Sequence, residues 1–161
     1  FKNLLKKNSK IITDEDNKEF WVLKKIAKKR NLKTITIGSN KGSIKILNNK
    51  YKKDKQNITI SINSKTFNID VPLIGYFQIK NLLMAALAAL NSGLSKNKIF
   101  NQIQKIKPTA GRLECVANLP NNSNIIVDFA HTPDALEKSL IALKNQFKKK
   151  FKSFWLRRRK R

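Results

Sequence analysis

The sequence predicts an α/β fold with a β-rich middle, and three observations lead to this prediction. Polar and apolar residues alternate at 33–37, 43–47 and 57–71, a pattern typical of strands. An apolar run of helical length, NLLMAALAAL at 81–90, follows them. The apolar segment IIVDF at 125–129 then precedes a proline that opens an amphipathic run, which is the order of a βα unit. The chain has 161 residues, 40% of them apolar, which is enough to build a core.

The first half of the chain contains one predicted helix and a predicted hairpin. Thr13 and the three acids after it predict a helix over about 14–30, because acids favour the positive end of a helix dipole. Asn63-Ser64 separates two alternating runs and therefore predicts a β-hairpin. The segment GSNKGS at 38–43 has neither the glycine spacing nor the following helix of a phosphate loop, so it is interpreted as a hairpin turn.

The second half alternates helices and strands. Ser95 is placed to cap a helix that stops before Pro108. Residues 112–117 read as a strand, and residues 125–129 read as a buried strand of the parallel type. Pro133 at a first helical turn predicts a helix that runs to about residue 147.

The charge and the cysteine content exclude several classes of protein. The chain carries 35 Lys and Arg against 10 acids, a formal net charge of +25. Lys, Asn and Ile dominate, and all three have A/T-rich codons, so codon bias accounts for much of this charge. A basic nucleic-acid-binding protein remains the alternative. The single cysteine, Cys115, excludes an internal disulfide and a multi-cysteine zinc site, and its apolar neighbours predict a small core residue.

No run of residues approaches the length of a membrane span, and no signal-peptide pattern is visible. We therefore expect a cytoplasmic protein that does not bind membranes. The strongest candidate site lies where Asp128 and His131 stand between an apolar strand and a helix N-terminus. In open α/β sheets ligands bind at the carboxyl ends of strands, where free N–H groups of a helix receive anions. A satisfied structural turn is the other interpretation of these residues.

Three segments resemble the Mur ligase family. DFAHTPDALEKSLIAL at 128–143 resembles the family's D-[YF]-A-H-T-P-D-[AS]-L-E-x-x-L. IGYFQIKNLLMAALAAL at 74–90 is similar to G-x-[FY]-N-x-x-N-x-x-A-A-x-A, and KPTAGRLECV at 107–116 is similar to P-x-x-G-R-[ML]-E-x-[VI]. Their order and spacing resemble most closely the type that adds the third amino acid to the peptidoglycan precursor, over about residues 1–153.

The resemblance implies an ATP-dependent amide-bond ligase with ATP and Mg²⁺ as cofactors. It would phosphorylate the carboxylate of UDP-MurNAc-L-Ala-D-Glu and let a diamino acid attack the acyl phosphate. The matching positions place Asn81 near the adenine, Arg112 near the phosphates, Asp128 on the ribose side and His131 beside it. Gln78 stands where the family usually has an asparagine, which lengthens that amide arm.

The resemblance also implies a domain division. Residues 1–108 would end the central ATP-binding domain and include its β-rich segment, and residues 109–153 would begin the Rossmann-like C-terminal domain with its first βα unit. The family's phosphate loop G-T-N-G-K-T, its carbamylated magnesium-holding lysine and its N-terminal uridine-nucleotide domain have no counterpart in this sequence. We therefore expect an internal fragment, monomeric, with no intact catalytic or metal-ligand set and no ligase activity alone.

Residues 154–161 are predicted to be a frameshifted tail. The family continues with V-F-G-C-G-G at this point, whereas this chain has FWLRRRKR. These residues can be encoded by a DNA sequence that, read with one base skipped, gives F-G-C-G-G. The arginines would then come from a shifted reading frame, so we infer no nucleic-acid partner from them.

Within the superfamily, a folylpolyglutamate synthetase fragment is the alternative assignment, because those enzymes share a similar D-x-A-H-N-P turn.

Overall fold

A computed structural model describes residues 5–120 and 123–148 of the chain. The described residues form a five-stranded sheet, a two-stranded sheet and four helices, which confirms the α/β class. In chain order the elements are β1 (Lys10–Asp14), α1 (Phe20–Lys29), β2 (Lys33–Gly38), β3 (Ile44–Tyr51), β4 (Gln56–Ile62), β5 (Lys65–Val71), α2 (Tyr76–Asn91), α3 (Lys96–Ile103), β6 (Glu114–Asn118), β7 (Asn124–Val127) and α4 (Pro133–Phe147). The predicted frameshifted tail, 154–161, lies outside the described residues.

The larger sheet joins two kinds of strand pairing. Its order is β1-β2-β3-β4-β5, with β1 and β2 parallel and connected through α1. Strands β3, β4 and β5 form an antiparallel meander. The two parts meet at a short parallel contact between β2 and β3, where only Ile37↔Ile44 and Gly38↔Lys45 are in register.

The main core lies between this sheet and α2. Alternate residues of β4 are buried, as expected for a strand with one covered face. Helix α2 contributes the fully buried Ile79 and Leu83, and α3 contributes Ile103. No helix within 5–120 and 123–148 is both long and apolar enough to cross a lipid bilayer.

A second, smaller core lies beside the first. Strands β6 and β7 pair antiparallel, and α4 follows them. The core consists of Ile74, Leu113 and Ala142. It therefore joins the segment before α2, the loop before β6 and helix α4.

Several local predictions are confirmed. Asn63 and Ser64 both have positive φ, 49° and 63°, and join β4 to β5 as the two central residues of a tight hairpin. Ser95 caps α3, since its hydroxyl accepts the Lys98 N–H at 3.4 Å. Pro133 occupies the first turn of α4, as the sequence predicts.

The predicted helix over about 14–30 is wrong at its start. Residues Lys10–Asp14 form strand β1, and α1 begins only at Phe20. Thr13 is buried in the strand and does not cap a helix. The alternation of KIITD, which pairs with β2 over five residues, outweighs the helix-start signal of the acids that follow.

The segment GSNKGS does not form a hairpin turn. It links β2 and β3, which run parallel, and the chain returns through Gly42 at a φ of 115°. A Cβ at Gly42 would lie 3.0 Å from the Thr36 carbonyl oxygen, so the tight return needs glycine.

The predictions for residues 125–129 and for Cys115 are also wrong. Strand β7 is antiparallel to β6, and its Ile125 and Val127 are 46% and 43% exposed, so it is not a buried parallel strand in this structure. Cys115 is an exposed free thiol. The two strands form a ladder with one open face, and alternation alone does not reveal which face is covered.

Candidate functional site

The start of α2, the turn before β6 and the loop after β7 converge at one place. The side-chain amide of Gln78 donates a hydrogen bond from Nε2 to the Arg112 carbonyl at 3.1 Å. The Phe129 N–H donates to the Gly111 carbonyl at 2.8 Å. These two hydrogen bonds hold together the three segments on which the family resemblance depends.

Asp128 connects the second and third segments. Its Oδ1 accepts the Leu113 N–H at 3.3 Å, and its Oδ2 accepts a hydrogen bond from the Ser139 hydroxyl of α4. Leu113 anchors the turn, because its side chain is buried and its backbone has a φ of 47°. An ionised carboxylate has about four acceptor positions. Asp128, which is half-buried, therefore keeps acceptor capacity for a hydroxyl donor.

Gly111 allows the close approach of these segments. Its φ is 68°, and a Cβ there would lie 2.3 Å from the Cε2 atom of Phe129. The Gly111 N–H donates to Glu114 Oε2 at 2.8 Å, so both the N–H and the carbonyl of Gly111 are hydrogen-bonded. Only glycine fits this conformation and this contact without displacement of a neighbour.

The start of α4 presents His131 at the same edge. Its Nδ1 lies 2.9 Å from the Phe129 carbonyl oxygen. Because a carbonyl only accepts, Nδ1 is the donor in this contact, which leaves Nε2 outside this hydrogen bond. Thr132 caps the helix through a 3.2 Å hydrogen bond from the Ala135 N–H to Oγ1. The exposed imidazole thus stands next to a helix N-terminus, where an anion is favoured.

The hydrogen bonds between the turn before β6 and the loop after β7 place Arg112, Asp128 and His131 on neighbouring segments. Asn81 lies on α2 three residues after Gln78, on the same side of the helix, and is exposed. The departure at Gln78 has a definite role, since its amide holds the turn at Arg112. Arg112 itself is exposed, so its guanidinium is open to a ligand.

A second cluster, which the sequence reasoning missed, lies on the other side of the α2 start. The Lys80 ammonium is 2.8 Å from Asp14 Oδ2 and 2.8 Å from Asp16 Oδ2. Ser39 donates to Asp16 from its hydroxyl at 2.8 Å and from its N–H at 3.2 Å. The signal was the run of acids after β1, which the sequence analysis assigned to a helix cap.

The cluster shifts the pKa of Asp16 and the pKa of Lys80. Burial raises the pKa of Asp16, but hydrogen bonds from Lys80 and Ser39 outweigh it, so the net shift is downward. Burial lowers the pKa of Lys80, but the hydrogen bonds to Asp14 and Asp16 outweigh it, so the net shift is upward. Both groups are therefore held in their charged forms at neutral pH.

The donors present fit a nucleotide better than they fit a metal ion. Arg112 offers guanidinium N–H groups, Asp128 an acceptor and His131 a ring nitrogen, which suit phosphate and ribose. In the described part of the chain no three His, Cys, Asp or Glu residues are grouped to hold a metal ion.

Comparisons with known proteins identify the family. The profile of the Mur ligase middle domain matches residues 1–89. The chain is 37% identical over 145 residues to the UDP-N-acetylmuramoyl-L-alanyl-D-glutamate--2,6-diaminopimelate ligase of Rickettsia montanensis, covering 90% of this chain and 29% of that protein. The chain therefore belongs to the Mur ligase family, as the three motifs predicted, and spans less than a third of the length of this relative.

Solved structures agree with the fold. A 2,6-diaminopimelate ligase of this type superimposes with a TM-score of 0.69 at 24% identity, over 86% of this chain and 29% of that one. The folylpolyglutamate synthetase of Lactobacillus casei also gives 0.69, at 20% identity, over 92% of this chain and 38% of that one. These structural matches show a shared fold, whereas the sequence relatives favour the peptidoglycan ligases over the folate alternative.

Proposed function

We propose that this chain is part of an ATP-dependent ligase that adds a diamino acid to UDP-MurNAc-L-Ala-D-Glu. The observation that carries the proposal is the convergence of Gln78, Gly111, Arg112 and Asp128 through hydrogen bonds. These residues lie in three motif segments that are distant in sequence. The relatives named above as 2,6-diaminopimelate ligases support diaminopimelate as the incoming diamino acid.

In this proposal each site residue has one role. Asn81 contacts the adenine, Asp128 accepts a ribose hydroxyl, and His131 lies beside the ribose. Arg112 binds phosphate oxygens, since a planar guanidinium matches an oxyanion. Mg²⁺, held by other parts of the enzyme, would neutralise phosphate charge during acyl-phosphate formation. The described residues thus bind and orient the nucleotide.

The domain division is part of the same proposal. Residues 1–108 would belong to the central domain and 109–153 to the start of the C-terminal domain. The main core lies within residues 1–108, whereas the second core packs Ile74 of the first part against Leu113 and Ala142 of the second, as expected at a contact between domains. The nucleotide would then lie where the two domains meet, a common position for ligand sites. A soluble, monomeric enzyme is expected, and a polypeptide of these 161 residues would bind nucleotide without turnover.

The test is calorimetric titration of the 161-residue chain with ADP. We expect saturable binding that Asp128→Asn and Arg112→Met each weaken by about 2–4 kcal/mol, since each variant removes a charged partner. The matched control is Asp54→Asn, which changes an exposed acid in the β3–β4 turn and leaves binding unchanged. Binding that is equal in all three variants would contradict the assigned site.

The substrate part of the proposal needs the whole enzyme. Residues 1–153 can replace the matching segment of the Rickettsia montanensis ligase. We expect phosphate release that requires both UDP-MurNAc-L-Ala-D-Glu and diaminopimelate. A folded chimera that binds ADP but is active only with a folate and glutamate would favour the folylpolyglutamate synthetase assignment instead.

A further inference from the structure

Lys80 is an enclosed, ion-paired cation. Its side chain is 17% exposed, and that of its partner Asp14 is 4% exposed. Its ammonium also lies 5.3 Å from the centre of the Tyr76 ring, one turn earlier on α2. In contrast, the ion-paired lysines Lys52, Lys55 and Lys138 keep between 37% and 64% of their side chains exposed. The ion pairs of Lys80 with Asp14 and Asp16 are therefore less screened by water than an exposed surface pair.

The ammonium joins three parts of the fold. Asp14 ends β1, Asp16 lies in the turn that follows, and Ser39 lies in the loop between β2 and β3. The two acids are themselves tied, since the Asp16 N–H donates to Asp14 Oδ1 at 2.9 Å. Lys80 thus attaches the first turns of α2 to the carboxyl ends of two parallel strands.

Helix α2 needs such an attachment at its start. Gly75 precedes it with a φ of 91° and provides no side-chain cap, and no acid lies in the first turn. Gln78 supplies a side-chain hydrogen bond from this turn, which reaches the Arg112 carbonyl. Gln78 and Lys80 therefore hold opposite sides of the same helical turn, and Asn81 follows directly.

We propose that Lys80 is a positioning residue for the nucleotide site: its two ion pairs with Asp14 and Asp16 set the orientation of the α2 start, and thereby the positions of Asn81 and Gln78. The inference rests on the proposed function for its effect on nucleotide binding. The effect on the helix itself does not depend on that function. Removing the ammonium leaves two adjacent carboxylates uncompensated, which pushes the turn away from the helix.

The experiment compares Lys80→Met and Lys80→Arg with the unchanged chain. Methionine keeps the length of the stem and removes the charge, whereas arginine keeps the charge. We expect Lys80→Met to weaken ADP binding about tenfold, the lower end of what losing an outer-shell partner costs in metal sites. Lys80→Arg should recover most of that loss. Lys55→Met, which breaks an exposed ion pair with Asp70 and not with α2, is the matched control.

A second measurement tests the positioning without ligand. Amide hydrogen exchange at the α2 start, residues 79–83, should become at least about tenfold faster in Lys80→Met, while the β4 and β5 amides keep their protection. Unchanged exchange there overturns the proposal. Normal ADP binding by a folded Lys80→Met variant also overturns it. If the unchanged chain does not bind ADP, the proposed function fails, and the exchange result alone decides the role of Lys80.

Discussion

Replacing Gln56 by leucine should destabilise the fold more than any exposed polar substitution. Gln56 is fully buried at the start of β4. Its Nε2 donates to the carbonyl oxygens of Leu73 at 2.8 Å and Gly75 at 3.2 Å, and its Oε1 accepts from Asn49 at 2.9 Å. Leucine fills nearly the same volume but makes none of these hydrogen bonds.

The cost follows from the groups left behind. The Leu73 carbonyl loses this donor in a buried place, at about 1–3 kcal/mol, whereas the Gly75 carbonyl still accepts the Gln78 N–H at 3.1 Å. Asn49 is half-buried, so its amide reaches water at a smaller cost. The added apolar burial returns on the order of 1 kcal/mol. We therefore expect a net loss of about 1–2 kcal/mol in the free energy of unfolding.

Urea unfolding followed by circular dichroism measures this loss. The midpoint should fall while the slope stays constant, because the buried surface is nearly the same. Gln102→Leu on the exposed side of α3 is the control and should change stability by less than about 0.5 kcal/mol. A loss for Gln56→Leu no larger than the control's limit of about 0.5 kcal/mol would refute the role given to its hydrogen bonds.

Three further predictions concern the site and the surface. Gly111→Ala should cost about 1–2 kcal/mol in thermal unfolding, because its φ of 68° is strained for alanine and Phe129 must move; an unchanged midpoint would contradict this. Lys55, with the Asn57 amide, lowers the pKa of Asp70 to about 2 from 3.8. The stability this contributes is present above about pH 4 and lost towards pH 2, so the stability difference between the native protein and Asp70→Asn should be constant above about pH 4 and shrink towards pH 2. Cys115 should react with a disulfide reagent in the native protein as fast as after unfolding, and protection would show that the thiol is covered.

Local signals predicted the turns and caps of this fold well. The Asn63-Ser64 hairpin, the Ser95 cap and Pro133 at the start of α4 are decided by a few neighbouring residues. The family motifs also named Arg112 and Asp128 as site residues, and their roles toward a nucleotide stay predictions. These predictions needed no knowledge of distant contacts.

The errors arose where distant pairing decides the structure. Lys10–Asp14 becomes a strand because β2 lies beside it, although the acids after it favour a helix start. The exposure of Cys115 depends on which face of the β6–β7 ladder is covered. Lys80 was not predicted as a site residue, since its partners lie 64 and 66 residues earlier in the chain. A single sequence carries no local signal for such a contact.

The two-residue contact between β2 and β3 has a consequence for the folding order of the larger sheet. Strands β3 to β5 are joined by short turns, so they pair through local contacts and form quickly. β1 and β2 can pair only after the α1 crossover has formed between them. Their two-residue contact with β3 adds little stability to the joining of this pair with the meander. Helix α2 packs on β1, β2 and β3, so its docking holds the parallel β1–β2 pair against the β3–β5 meander. We therefore expect the late barrier in folding to be the arrival of α2, with the β2–β3 boundary as the first place to open on unfolding.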